Sequence, residues 1–135
     1  MDLQKAMMAS ASGLRAQSVR MRVISENIAN QNSVASEPGA DPYRRKIVTF
    51  ATELDRANDV TLVKASGVDF DQKEFGKKYD PGNPAADPSG YIKTSNVNGM
   101  IEMMDMRQAQ RTYQSNLSAL EASRRMATMT LDLVR

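Results

Sequence analysis

The sequence predicts a mainly α protein, with long N- and C-terminal helices pairing as a coiled coil and a small β-rich, turn-rich insert between them. Three observations carry that prediction. The ten Met all lie within the first thirty or the last forty residues. The five Pro (Pro38, Pro42, Pro81, Pro84, Pro88) and six of the seven aromatic residues lie between those arms. Both Met-rich arms repeat apolar residues every seven positions. Unbranched Met suits helices and adapts to irregular packing, whereas Pro is excluded from helix interiors. The expected divisions are a helix in 1–35, an insert in 36–97 and a helix in 98–135.

In the first arm Met7, Leu14, Met21 and Ile28 fall seven apart, with Leu3 beside them. That spacing keeps a narrow apolar stripe facing a partner helix. A helix over 3–31, about 43 Å long at 1.5 Å per residue, stops at Asn30-Gln31-Asn32-Ser33, because Asn tolerates the left-handed C-terminal position. Gly13 costs about 1 kcal/mol in a helix interior, which points to close helix approach there or to a weak spot.

The insert opens on Glu37-Pro38-Gly39-Ala40-Asp41-Pro42, a turn-forming run. Tyr43 to Phe50 reads as a strand, Val60–Val63 as a second, and Val68-Asp69-Phe70 as a shorter third. Tyr79 to Tyr91 reads as a long turn-rich loop.

In the last arm Met106, Tyr113, Leu120, Ala127 and Val134 fall seven apart. Asn98 is the expected N-cap, with Glu102 and Asp105 placed where the helix dipole favours negative charge. Together with Leu3, Met7, Leu14, Met21 and Ile28, these five residues form the expected seam within the subunit. Met100, Met104, Met126 and Met129 lie on other sides of the helix. Apolar surface left over after one helix pair marks a protein interface, so these four are the expected subunit–subunit contacts.

Composition excludes much chemistry. There is no Cys, His or Trp, hence no thiol nucleophile, no Ser–His pair and no His- or Cys-ligated metal. Eighteen Lys and Arg against sixteen Asp and Glu give a net charge of +2, too balanced to imply nucleic acid. The basic run Arg44-Arg45-Lys46 sits in an insert of balanced charge, which favours a guarded strand edge or an ion-pairing surface over phosphate binding. Asp80 and Asp87 lack the alternating spacing of a calcium loop. Glu53 and Asp55 have no partner base. No enzyme, no cofactor and no metal site is expected. The N-terminus lacks the apolar run of a secretory signal, and no segment approaches the ~18 apolar residues of a membrane span.

Ala11-Ser12-Gly13-Leu14-Arg15-Ala16-Gln17-Ser18, followed by Ile24-Ser25-Glu26-Asn27-Ile28-Ala29-Asn30, resembles the N-terminal signature of bacterial flagellar axial proteins. Pro42-Tyr43-Arg44-Arg45-Lys46, Tyr79-Asp80-Pro81-Gly82-Asn83-Pro84, Asn96-Val97-Asn98 and Ala109-Gln110-Arg111-Thr112-Tyr113-Gln114-Ser115-Asn116 are similar to proximal rod members of that superfamily. The motif positions are thus Ser12, Gly13, Leu14, Glu26, Asn27, Ala29, Asn30, Tyr43, Arg44, Arg45, Tyr79, Pro81, Gly82, Asn96, Asn98, Gln110, Tyr113 and Asn116. Residues 52–78 match only loosely. The resemblance implies a structural subunit of the basal-body rod in the periplasmic space, exported by the flagellar type III apparatus without a cleaved signal peptide. Implied partners are further copies, other proximal and distal rod proteins, and ring or export-gate proteins at the base. The competing reading is a stand-alone coiled-coil adaptor with a single partner. A peripheral membrane binder is disfavoured by the weak basic bias.

Overall fold

A computed structural model describes residues 2–133. In chain order the elements are α1 (Leu3–Ala29), β1 (Lys46–Asp55), β2 (Val60–Phe70), β3 (Gly76–Tyr79), β4 (Tyr91–Thr94) and α2 (Gly99–Asp132). β1 pairs with β2, and β3 with β4, as two separate two-stranded antiparallel sheets. This corrects the expected fold class. The protein is roughly mixed α/β, not a mainly α molecule built on one long paired coiled coil. The physical reason lies in what the helices bury. Their best-buried positions are Ser12, Ala16, Val23, Ile24 and Asn27 on α1, and Glu102, Ala109 and Ser123 on α2. Of these, Ser12, Asn27 and Glu102 bond to strand or loop residues, while the heptad residues Met7, Leu14, Met21 and Ile28 are only half-buried and build no continuous seam.

The helix ends follow from capping. Asp2 Oδ1 accepts the N–H of Gln4 at 3.1 Å and of Lys5 at 3.4 Å, satisfying donors that α1 leaves open. At the other end the side-chain amide of Asn30 donates to the Glu26 carbonyl at 2.8 Å. Asn98 caps α2, its Oδ1 accepting the N–H of Met100 at 3.0 Å. No helix among the described residues is long and apolar enough to cross a membrane.

The chain divides into two compact units, each assembled from separated stretches. The first comprises Met1–Arg22, Val48–Gly67 and Arg107–Arg135. In it Ser12 joins helix to hairpin, donating to the Ala9 carbonyl at 2.7 Å and accepting the N–H of Val63 at 3.1 Å. Lys5 reaches Asp59 in the hairpin turn at 3.1 Å. Asp55 organises that turn by accepting the N–H of Ala57 at 3.0 Å, and Asp59 adopts a φ of 48°. Gly13 lies under the Asn116 amide of α2: a Cβ there would stand 2.6 Å from Asn116 Nδ2. The close approach expected at Gly13 is therefore present.

The second unit comprises Val23–Ile47 and Val68–Met106. β3 and β4 pair in the register Gly76↔Thr94 to Tyr79↔Tyr91, and Val34 bridges to Thr94 on the far edge of β4. Ala35, Ala85 and Ile92 form its small apolar core. Asp87 Oδ1 accepts the N–H groups of Ser89 and Tyr91, each at 2.9 Å, which turns the chain into β4. Gly90 there has a φ of 83°, and an added Cβ would stand 2.8 Å from the Tyr79 ring. Only glycine meets both conditions. The long turn-rich loop expected from Tyr79 to Tyr91 is present as the connection between β3 and β4, which were not expected, and the second and third strand candidates, Val60–Val63 and Val68–Phe70, merge into β2.

Candidate assembly surface and its buried polar anchor

The second unit is organised by one side chain on the last turns of α1. Asn27, 1% exposed, uses all four of its hydrogen-bonding positions. Its Oδ1 accepts the Tyr43 hydroxyl at 2.8 Å and the Lys46 N–H at 2.9 Å. Its Nδ2 donates to the Lys46 carbonyl at 2.9 Å and to Glu102 Oε2 at 3.0 Å. Toward Lys46 the amide behaves as a one-residue strand, satisfying both backbone groups where β1 begins.

Glu102, 0% exposed, is the anionic counterpart. Its other oxygen accepts from Arg45 Nε, and Arg45 also reaches Asp71 at 3.4 Å and Asp105 at 3.5 Å. Burial disfavours the charged guanidinium, but hydrogen bonds and charge from Glu102 and Asp71 outweigh it, so the Arg45 pKa is raised. The Asp71 carboxyl is held below its usual range, first by the Lys73 N–H and then, against some desolvation, by Arg45. The Tyr43 hydroxyl is pushed up, chiefly by burial. Asn96 completes the cluster, accepting the Arg45 N–H at 2.7 Å and donating to the carbonyls of Asp71 and Lys73. A buried ion pair of this kind fixes geometry more than it adds stability.

The motif positions divide between this cluster and smaller local roles. Glu26 pairs with Lys46 at 2.9 Å. Arg44 donates to the Asp71 carbonyl at 2.9 Å and lies 4.2 Å from the centre of the Phe75 ring. Tyr79 meets Tyr91 edge-on at 5.2 Å, and Pro81 packs by Gly90. Leu14 and Tyr113 are half-buried, Asn116 covers Gly13, and Ala29, Gln110 and Gly82 are exposed. Sequence reasoning placed Glu102 as a dipole-favoured helix-start carboxylate and did not see its burial. Its position four residues after Asn98 was a cue to capping only.

The expected seam residues Leu3, Met7, Leu14, Met21, Ile28, Met106, Tyr113, Leu120 and Ala127 are all half-buried, and Val134 lies outside the described residues. The four Met expected at subunit contacts are open: Met100 is 71% exposed, Met104 65%, Met126 46% and Met129 63%. Ile101 shares the first end of α2, and Leu131 and Leu133 the last, all exposed. On a helix advancing 100° per residue, Ala119, Ala122, Met126, Met129 and Leu133 fall within an arc of roughly 80°. These exposed apolar residues thus share one side of α2.

Residues 89–133 match the family model described as the flagellar basal body rod FlgEFG protein C-terminal region. The flagellar basal-body rod protein FlgC of Agrobacterium fabrum is 50% identical over 126 residues, covering 93% of this chain and 91% of that one. The rod protein FlgC of Salmonella typhimurium is 38% identical, with 92% of each chain covered, and that of Bacillus subtilis 32%, with 92% and 93% covered. The chain belongs to the flagellar basal-body rod protein FlgC family. It is a structural subunit of the flagellar basal-body rod.

Proposed function

We propose that the chain polymerises through its terminal helices into the rod, together with other proximal and distal rod proteins, and that the rod carries torque across the periplasm. Its route there is export through the flagellar type III apparatus, and its neighbours at the base are ring and export-gate proteins. Met100, Met104, Met126 and Met129 bury against adjacent subunits, while the insert faces outward. The observation that carries this reading is the exposure of those Met along α2. Methionine surfaces repack against more than one neighbour, which suits a subunit whose contacts differ along a mixed rod. Repeated contacts between two different patches generate an open polymer and not a closed ring.

The test is complementation of a strain lacking this gene with Met104→Glu plus Met129→Glu. Loss of motility, with secreted or cytosolic subunit still folded by circular dichroism, supports the reading. Normal swimming by that strain contradicts it.

A further inference from the structure

The first unit holds a groove of about 310 Å³ between α1 and the hairpin, with Ala16, Val19, Leu62 and Ala65 among its lining and Arg15 on its wall. Glu53 and Lys64, also on the wall, pair with each other at 3.4 Å. Arg15 has no ion-pair partner among the described residues, so it is the uncompensated charge at the groove. The same unit carries the apolar end of α2, where Met129 and Leu133 stand 63% and 87% exposed. Asp132 lies between them in sequence and likewise has no ion-pair partner among the described residues.

We infer that the groove seats the C-terminal end of α2 from a second copy of this chain, with Met129 and Leu133 inside it and Asp132 against Arg15. The inference rests on the proposed polymerisation and deepens it by naming one contact. Shape and charge agree: an apolar slot with a spare cation takes an apolar helix end with a spare anion. Slot and helix end are different surfaces of the chain, and we take the contact to repeat head to tail, as the proposed polymer requires. Each copy then offers a free groove and a free helix end, and growth continues in one direction. A reciprocal two-fold dimer would make the same Arg15–Asp132 contact twice and close, and its oxidised Ala65→Cys/Met129→Cys double variant would stop at linked dimers.

The native chain contains no cysteine, so introduced thiols report proximity without background. Concentrated full-length Ala65→Cys protein is mixed with Met129→Cys protein and oxidised. The expected product is a disulfide-linked dimer of one chain of each kind, with little linkage in either variant alone. The double variant gives a ladder of linked chains. Arg15→Asp lowers the mixed yield about five-fold, the equivalent of one partly exposed ion pair, and adding Asp132→Arg to the partner restores it. Met129→Cys chains linking to one another as readily as to Ala65→Cys chains overturns the groove assignment. So does absence of the mixed link in samples where wild-type protein visibly polymerises. Wild-type protein that stays monomeric at the same concentration removes the assembly reading beneath it.

Discussion

Asn27 Nδ2 donates to Glu102 Oε2 across 3.0 Å, joining residues seventy-five positions apart, both almost wholly removed from solvent. The contact ties the end of α1 to the start of α2. Because Asn27 also holds both backbone groups of Lys46, one amide sets where β1 departs from the helices.

Replacing that amide should be costly. Asn27→Ala strands the Lys46 backbone groups, the Tyr43 hydroxyl and one Glu102 oxygen, and each buried unsatisfied group costs about 1–3 kcal/mol. A loss of about 2–4 kcal/mol is expected, since water re-solvates part of the cavity. Asn27→Asp should be worse near neutral pH, because it sets a second carboxylate against Glu102. Urea denaturation of the three proteins checks both statements.

Arg45→Met leaves Glu102 buried with its cation gone, a change of about 3–5 kcal/mol for a broken buried pair. Adding Glu102→Gln should recover much of the loss, because the neutral amide no longer needs a counter-charge. Equal stability of the single and double variants in chemical denaturation would contradict the pairing.

Acid should weaken the same cluster in a defined direction. The folded-state pKa of Asp71 is lowered by the Lys73 N–H and Arg45, so its contribution is present above the unfolded value of about 3.9 and is lost as pH falls through the lower folded value. Thermal melts from pH 6 to pH 2 should fall more steeply for wild type than for Asp71→Asn. Parallel curves would show that Asp71 adds nothing.

Much of this architecture was legible in the sequence, for identifiable reasons. The partition of Met from Pro located both helices, and Asn98 announced the start of α2. The coiled-coil pairing was misread because heptad reasoning follows hydropathy. Met7, Leu14, Met21 and Ile28 carry the repeat yet remain half-buried, while Ser12, Asn27 and Glu102 are fully buried. Polar residues that bury themselves by satisfying one another leave no hydropathy trace. The full hairpin was also missed, since exposure along nearly all of β1 removes the alternation that marks a strand. Asp55 and Asn58-Asp59 between two β-branched runs were the available turn signal. The β3–β4 pair was missed because its strands are only four residues long and flank the Pro- and Gly-rich loop.

Gly13 offers a test of local packing. Gly13→Val adds bulk where even a Cβ stands 2.6 Å from the Asn116 amide, so Asn116 must swing away. Overpacking of this kind costs about 1–3 kcal/mol, larger than any gain from helix propensity. Adding Asn116→Ala should relieve most of it, as judged by the shift in melting temperature.

The central claim is that the exposed Met of α2 become buried between subunits. Peroxide oxidation read by mass spectrometry follows each thioether directly, since oxidation tracks exposure. Met100, Met104, Met126 and Met129 should oxidise readily in the free subunit and be protected several-fold in isolated basal bodies. Equal oxidation of all four in both preparations would contradict the account.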